Sequence, residues 1–261
     1  MTATVKTTVV DPADEAGNRI WSERAGSYGW DIDASLSSRL KARLVSKHMS
    51  ADSRLCDVGC GNGLFMRALA PNCAQVTGVD PNAEMIAEAR AMIARERIGN
   101  ADLVQCSAGA LPFPDEAFDI VYCFSTLLLV QDVGAALSHM VRVVRRGGLL
   151  VLDVAGRNNL SNIYWNLWYR RQGHFGIHAF SHAAIENKLD ALGCRITENH
   201  ALGFCDQWKY VPGLHKAKWL DTVFQSAPEP ERNLDYKISN LPGVRRLASR
   251  WYVVARKDAR S

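Results

Sequence analysis

Between Arg54 and Asp153 the chain alternates short apolar runs with helix-patterned segments, and this alternation constrains its fold more than any other feature. "RLCDVG", "AQVTGVD", "ADLVQC", "FDIVYCF" and "GLLVLDVA" read as buried strands. "LFMRALA" reads as a helix stopped by Pro71. "NAEMIAEARAMIARER" sets Met85, Ile86, Ala89, Met92 and Ile93 on one helical face, with Asn82 placed as N-cap. Val133, Leu137, Met140, Val141 and Val144 mark a further helix, with Gly147-Gly148 as its expected stop. Strands separated by helices imply a parallel sheet covered on both faces, since each crossover must run back over the sheet.

Outside this stretch the pattern loosens. Upstream, "SLSSRLKARLVSKHM" places Leu36, Leu40 and Leu44 at helical spacing. Downstream, "SHAAIENKLDALG" is a helix capped by Ser181, "CRITENHALGF" is strand-like, and "ASRWYVVAR" is a last strand. Two aromatic stretches, 157–180 and about 205–241, follow no regular period and are expected to form a cap over one sheet edge. The expected fold class is α/β: a Rossmann-like, doubly wound, mostly parallel seven-stranded sheet, with a cap made by insertions around the later strands.

Charge narrows the partners. The chain carries a formal net charge of +4, but six basic residues and a single acid lie from Pro242 onward. The remaining body is close to neutral and offers no broad basic face to a phosphate backbone, so nucleic acid is not an expected partner. Seven cysteines, an odd number without a CxxC pair, sit mostly in apolar runs and are expected to be reduced and buried. No metal site is expected. The N-terminal stretch has no apolar core of signal-peptide length and no run reaches spanning length, so a cytoplasmic protein, monomer or homodimer, is expected.

The first strand ends in "DVGCGNG", with Asp57 followed by Gly59, Gly61 and Gly63. In an open parallel sheet, ligands bind outside the carboxyl ends of the strands, which is where this turn lies. The dinucleotide pattern GxGxxG fails in both registers, because its third glycine would fall on Leu64 or Met66. No Gly-Lys-Ser/Thr follows, which excludes a phosphate loop. An acid two positions before the first glycine suits a cationic group better than a pyrophosphate. Asp80, at the end of the next strand, can accept both hydroxyls of a ribose. Together these residues describe a nucleoside with an amino-acid tail; a purely structural turn is the alternative.

The ordered set of motifs resembles the class I S-adenosylmethionine-dependent methyltransferases of small-molecule type. "LCDVGCGNG", "VTGVDPNAEMI", "LVQCSAGALPFPDEAFDIVYCFSTLLLV" and "VRVVRRGGLLVLD" are similar to that family's successive strand-end motifs, and "IWSERAGSYGWD" resembles its entry segment. The resemblance covers roughly residues 20–155 and the last strand. It implies S-adenosyl-L-methionine as cofactor, with Gly59, Gly61 and Gly63 around the methionine moiety and ribose. It implies Asp57 at the amino end, Asp80 at the ribose and Met85 on the adenine. Ser107 and Ala108 would stand at the adenine edge, although the family commonly has an acid where Ser107 stands. Phe124 and Ser125 would face the sulfonium, and Tyr28 would close from the N-terminal side. The chain is expected to divide into a helical segment and lid (1–50), a cofactor-binding core (51–155), a cap with substrate-binding insertions plus a core helix and strand (156–247), and a last strand with a basic tail (248–261).

The cofactor carries the reactive group, so the protein chiefly has to place it, and a base is needed only if the acceptor arrives protonated. The histidines of the aromatic stretches are the candidates: His174, His178, His182, His200 and His215, with His178 and His174 preferred because "GHFGIHAF" should face the fourth strand's end. His139 lies on a helix away from the expected mouth. Trp165, Trp168, Trp208 and Trp219 suggest an apolar, planar small-molecule substrate, and Arg157, Arg170 and Arg171 could meet an acidic group on it. The expectation is methylation of O or N on such a metabolite, in secondary metabolism. The alternative is a cofactor-binding regulatory or partner protein without catalysis.

Overall fold

The computed structural model describes residues 15–25, 32–205, 207 and 229–259. Seven strands form one sheet in the order β3-β2-β1-β4-β5-β8-β7, and a two-residue eighth strand, β6 (Ala179–Phe180), pairs with β5. β1 (Arg54–Val58), β2 (Gln75–Asp80), β3 (Ala101–Gln105), β4 (Phe118–Cys123) and β5 (Val144–Gly156) are mutually parallel. β8 (Arg250–Lys257) runs antiparallel to both β5 and β7 (Cys194–Leu202), so the sheet is mixed only at that edge. The strand order reverses between β1 and β4, and in open α/β sheets ligands bind outside the carboxyl ends of the strands at such a point.

Local chemistry explains the elements. α4 (Ala83–Arg95) begins where the Asn82 side chain accepts the Met85 N–H, and it buries Met85, Ile86, Ala89 and Ile93 against the sheet. α2 (Leu36–Ser46) is capped by Ser35, α5 (Val133–Val143) by Asp132 and α7 (His182–Asp190) by Ser181 in the same way. α3 (Leu64–Leu69) follows the glycine turn directly. α1 (Glu15–Arg24) lies against the start of α4, where the Ser22 hydroxyl donates to Glu84 and accepts from Asn82. One apolar cluster fills each side of the sheet, one centred on Val121, Leu137, Leu150 and Val253, the other on Leu40, Leu55, Met66 and Val151. All seven cysteines are buried and free.

Two expectations change. Gly147-Gly148 does not end α5, which stops at Val143; the pair lies inside the irregular start of β5, where the register with β4 shifts. A Cβ on Gly148 would stand 2.7 Å from the Asp119 carbonyl oxygen, so glycine there permits β5 to approach β4. The first aromatic stretch is not irregular throughout: residues 160–171 form α6 (Leu160–Arg171), capped by Asn159. Its pattern is obscured because Ser161 and Asn162 are buried beside Tyr169 while its aliphatic residues are exposed. The Asn162 amide donates to the carbonyls of Gly156 and Ser249, and the Asn159 amide donates to those of Gly203 and Leu247. In the second stretch, α8 (Leu234–Ser239) is described and caps through Asn233.

Candidate active site

The residues singled out around the glycine turn converge at the carboxyl ends of β1, β2, β3 and β4. Gly59, Gly61 and Gly63 all have φ between 53° and 78°, a region that glycine enters without strain. The turn is pinned by the Gly59 and Cys60 N–H groups, which donate to the Val79 carbonyl at 2.7 and 2.9 Å. A Cβ on Gly59 would stand 2.7 Å from the Thr126 Cβ and closer still to the rest of that side chain. The glycine therefore lets the loop after β4 close onto the turn. At Gly61 the nearest atom to such a Cβ would be Met85 Sδ at 4.0 Å, so this part of the turn faces open space beside Met85. Gly59→Ala is accordingly expected to lower stability by about 1–3 kcal/mol through strain and collision, with partial recovery in Gly59→Ala/Thr126→Ala. Thermal unfolding at the wild-type temperature would refute this account of the turn.

Two acids flank the turn in different environments. Asp57 is 1 % exposed. Burial pushes its carboxyl well above the usual carboxylate range, and the charge of Asp80 adds to this. The Tyr122 phenol faces it and favours the ionised form, yet no hydrogen bond of ordinary geometry joins them. Asp57 Oδ2 and Tyr122 Oη thus have no partner among the described residues. Asp80 is partly buried and accepts the Gly61 N–H at 3.0 Å and the Asn82 N–H at 2.9 Å. Burial nonetheless raises its pKa to about 6. Cys106 N–H donates to the Asp80 carbonyl, which sets the buried Ala108 and half-buried Ser107 beside this corner.

The loop after β4 carries a feature that sequence reading missed. Ser125 has φ of 57°, in the left-handed region, and its backbone N–H donates to Asp153. The Lys41 ammonium, from α2, lies 3.0 Å from Asp153 Oδ2 and donates to Ser125 Oγ at 2.7 Å. Both side chains of the ion pair are buried, at 7 % and 0 % exposure, and Arg250 approaches the same carboxylate oxygen at 3.9 Å. Burial opposes the ionised form of Asp153, but the Lys41 and Arg250 cations outweigh it and hold its pKa below the usual range. Lys41 also stands 5.5 Å from the Phe124 ring centroid. The available signal was Asp153 itself, an acid inside an otherwise apolar strand, which requires a buried cation from somewhere.

The histidines separate. The His178 N–H donates to the Leu128 carbonyl at 2.8 Å, which ties its segment to the loop after β4, and β6 (Ala179–Phe180) then pairs with the end of β5. His178 Nε2 is buried with no hydrogen-bond partner among the described residues. His174 is buried and its Nδ1 accepts the Gly176 N–H. His182 starts α7 beside Trp251, His200 lies on β7 bonded to Tyr236, and His139 on α5 contacts Arg142. Trp165 and Trp168 are edge-to-face neighbours on α6, with centroids 5.7 Å apart. Tyr28, Trp208, His215 and Trp219 lie outside the described residues.

Comparison with known proteins agrees with this geometry. Residues 56–152 match the family model described as a methyltransferase domain. The ubiquinone biosynthesis O-methyltransferase of Rhodopseudomonas palustris strain TIE-1 is 30% identical over 171 residues, covering 62% of this chain and 67% of that protein. The chain belongs to the class I S-adenosylmethionine-dependent methyltransferases. A malonyl-[acyl-carrier protein] O-methyltransferase of Serratia marcescens is 32% identical, covering 61% of this chain and 60% of that protein. Among solved structures, YcgJ of Bacillus subtilis shares the fold with TM-score 0.58 and 19% identity, covering 84% of this chain and 99% of that one. The magnesium protoporphyrin IX methyltransferase of Synechocystis PCC 6803, solved with bound SAH, does so with TM-score 0.55 and 17% identity, covering 97% and 90%. S-adenosylmethionine is thus the methyl donor of this methyltransferase. The open space at Gly61 and the unpartnered Asp57 oxygen fit its amino-acid end. No helix among the described residues is long and apolar enough to cross a membrane.

Proposed function

We propose that the enzyme methylates an oxygen or nitrogen of a small apolar or aromatic metabolite, with the donor seated on the β1 turn. The observation that carries the seating is the pair of unlike acids: Asp57 buried with one oxygen unpartnered, and Asp80 anchored at the tip of β2. Asp57 would neutralise the donor's ammonium group. Asp80, which already accepts two backbone N–H groups, has lone pairs left for both ribose hydroxyls. Gly59, Gly61 and Gly63 would pass along the methionine and ribose, Met85 would cover the adenine, and Ser107 and Ala108 would meet its edge. When bound, the donor supplies an electrophilic methyl group on a cationic sulfur. Phe124 and Ser125 would border it and hold the acceptor in line.

The names of the two relatives, both O-methyltransferases, support oxygen as the acceptor atom. A hydroxyl acceptor must lose a proton. Of the two preferred histidines, His178 is the better base, because its Nε2 is unpartnered whereas His174 Nδ1 already accepts a backbone hydrogen bond. Trp165 and Trp168 would form an apolar wall. The test is transfer of labelled methyl to a panel of small phenols, enols and amines, with His178→Ala expected to lower kcat by about 10²–10⁴ on hydroxyl acceptors. Cofactor binding with no transfer to any acceptor would instead support a regulatory protein.

The raised pKa of Asp57 gives a second measurement. In the free protein burial disfavours the ionised form of Asp57, whereas Asp80, at about 6, is ionised at pH 7.5. An ammonium group placed against Asp57 lowers its pKa, so binding of S-adenosylhomocysteine, which keeps that ammonium, should be accompanied by proton release. Calorimetric titration in buffers of different ionisation enthalpy reads this directly. Identical heats across buffers would remove Asp57 from the amino-end role, and Asp57→Asn should abolish the release.

A further inference from the structure

We propose that α6 is a peripheral docking surface for an anionic lipid bilayer. The helix is mounted with its apolar face outward. Leu160, Ile163, Tyr164 and Leu167, at i, i+3, i+4 and i+7, are 47 %, 50 %, 48 % and 53 % exposed, while Ser161 and Asn162 are buried. The polar side is what anchors it: the amides of Asn159 and Asn162 bond four backbone carbonyls of the body, so the helix cannot roll over without breaking them. A continuous exposed apolar stripe on a helix fixed in this way is an interaction surface.

Charge selects the occupant. From Val154 to Ile185 the chain holds no acidic residue, and Arg157, Arg170 and Arg171 flank the stripe, all exposed. A second copy would bring these arginines against their like with no carboxylate on the stretch to offset them. Anionic headgroups complement them, at about 1 kcal/mol per cation near such a surface. Tyr164 is a side chain of the kind that settles at the headgroup level. A helix of 12 residues is too short to span, so it would lie in the interface plane. The inference does not depend on which acceptor the enzyme methylates.

The experiment is co-sedimentation of the full chain with vesicles of phosphatidylglycerol mixed with phosphatidylcholine, beside vesicles of phosphatidylcholine alone. Binding is expected to the mixed vesicles and to fall with added salt. Ile163→Asp/Leu167→Asp should reduce partitioning by at least about tenfold, and Arg170→Glu/Arg171→Glu should remove its salt dependence. Both are exposed changes, and unaltered circular dichroism and S-adenosylhomocysteine binding confirm that the fold persists. No binding to either vesicle, or equal binding to both, overturns the proposal. So does a wild-type dimer in light scattering that Ile163→Asp/Leu167→Asp dissociates.

Discussion

Asp80→Ala is expected to weaken S-adenosylhomocysteine binding by roughly 10²–10⁴-fold, because two hydrogen bonds to a charged acceptor contribute about 1.5–3 kcal/mol each. The effect should exceed the loss of two ribose contacts alone in one respect. Asp80 also holds the Gly61 and Asn82 N–H groups, so its removal loosens the turn and the start of α4 together. The wild-type protein offers an internal control. Its Asp80 titrates near pH 6, raised by burial. If the ionised carboxylate is the binding form, affinity should fall about tenfold per pH unit below that value. Asp80→Asn should remove the part of this dependence centred near pH 6 and leave the part carried by Asp57. Isothermal titration between pH 5 and 8 checks both, and an Asp80→Ala variant that binds within a factor of a few of wild type would sink the ribose assignment.

Lys41→Ala should be the most destabilising single change near the site. It leaves the Asp153 carboxylate buried, with Arg250 at 3.9 Å as its remaining cation. Breaking a buried pair from one side costs about 3–5 kcal/mol, which for a chain of this length lowers Tm by roughly 6–20 °C. Activity should fall with stability, since the same ammonium fixes Ser125 Oγ in the loop after β4. Lys41→Met/Asp153→Leu should lie well above the sum of the single variants, because it removes both charges. A double-mutant cycle by thermal unfolding reads the coupling; a value near zero would mean that the pair contributes nothing beyond its separate burial. Lys41→Arg separates charge from shape. It should restore part of the stability, but not the short contact to Ser125, so kcat should recover less than Tm does.

The parts of the fold that were legible in the sequence are those written locally. α4 could be placed to its cap, because an Asn before a 3.6-period apolar face is complete information within a few residues. The failed third glycine of the dinucleotide pattern, together with the acid two residues before Gly59, moved the β1 turn away from a pyrophosphate. α6 was missed for the opposite reason. Leu160, Ile163 and Leu167 face solvent while Asn162 faces the protein, so the pattern that normally marks a helix packed on a core is inverted. Gly147-Gly148 misled because a glycine pair stops a helix and also permits close strand approach, and only the position of Asp119 shows which applies.

The ordered motifs implied the donor by resemblance; the sequence by itself determined the strand–helix alternation, the turn at Asp57–Gly63 and the acid at the end of β2. These follow from periodicity, capping and backbone conformation, all short-range properties of the chain. Only the tertiary structure decided that Lys41 would meet Asp153 and Ser125, that His178 rather than His174 would keep a free ring nitrogen, and that the apolar side of α6 would look outward. Each of these depends on which distant element lies opposite a side chain. A buried charge announces that it needs a partner, but the partner's identity is set by packing.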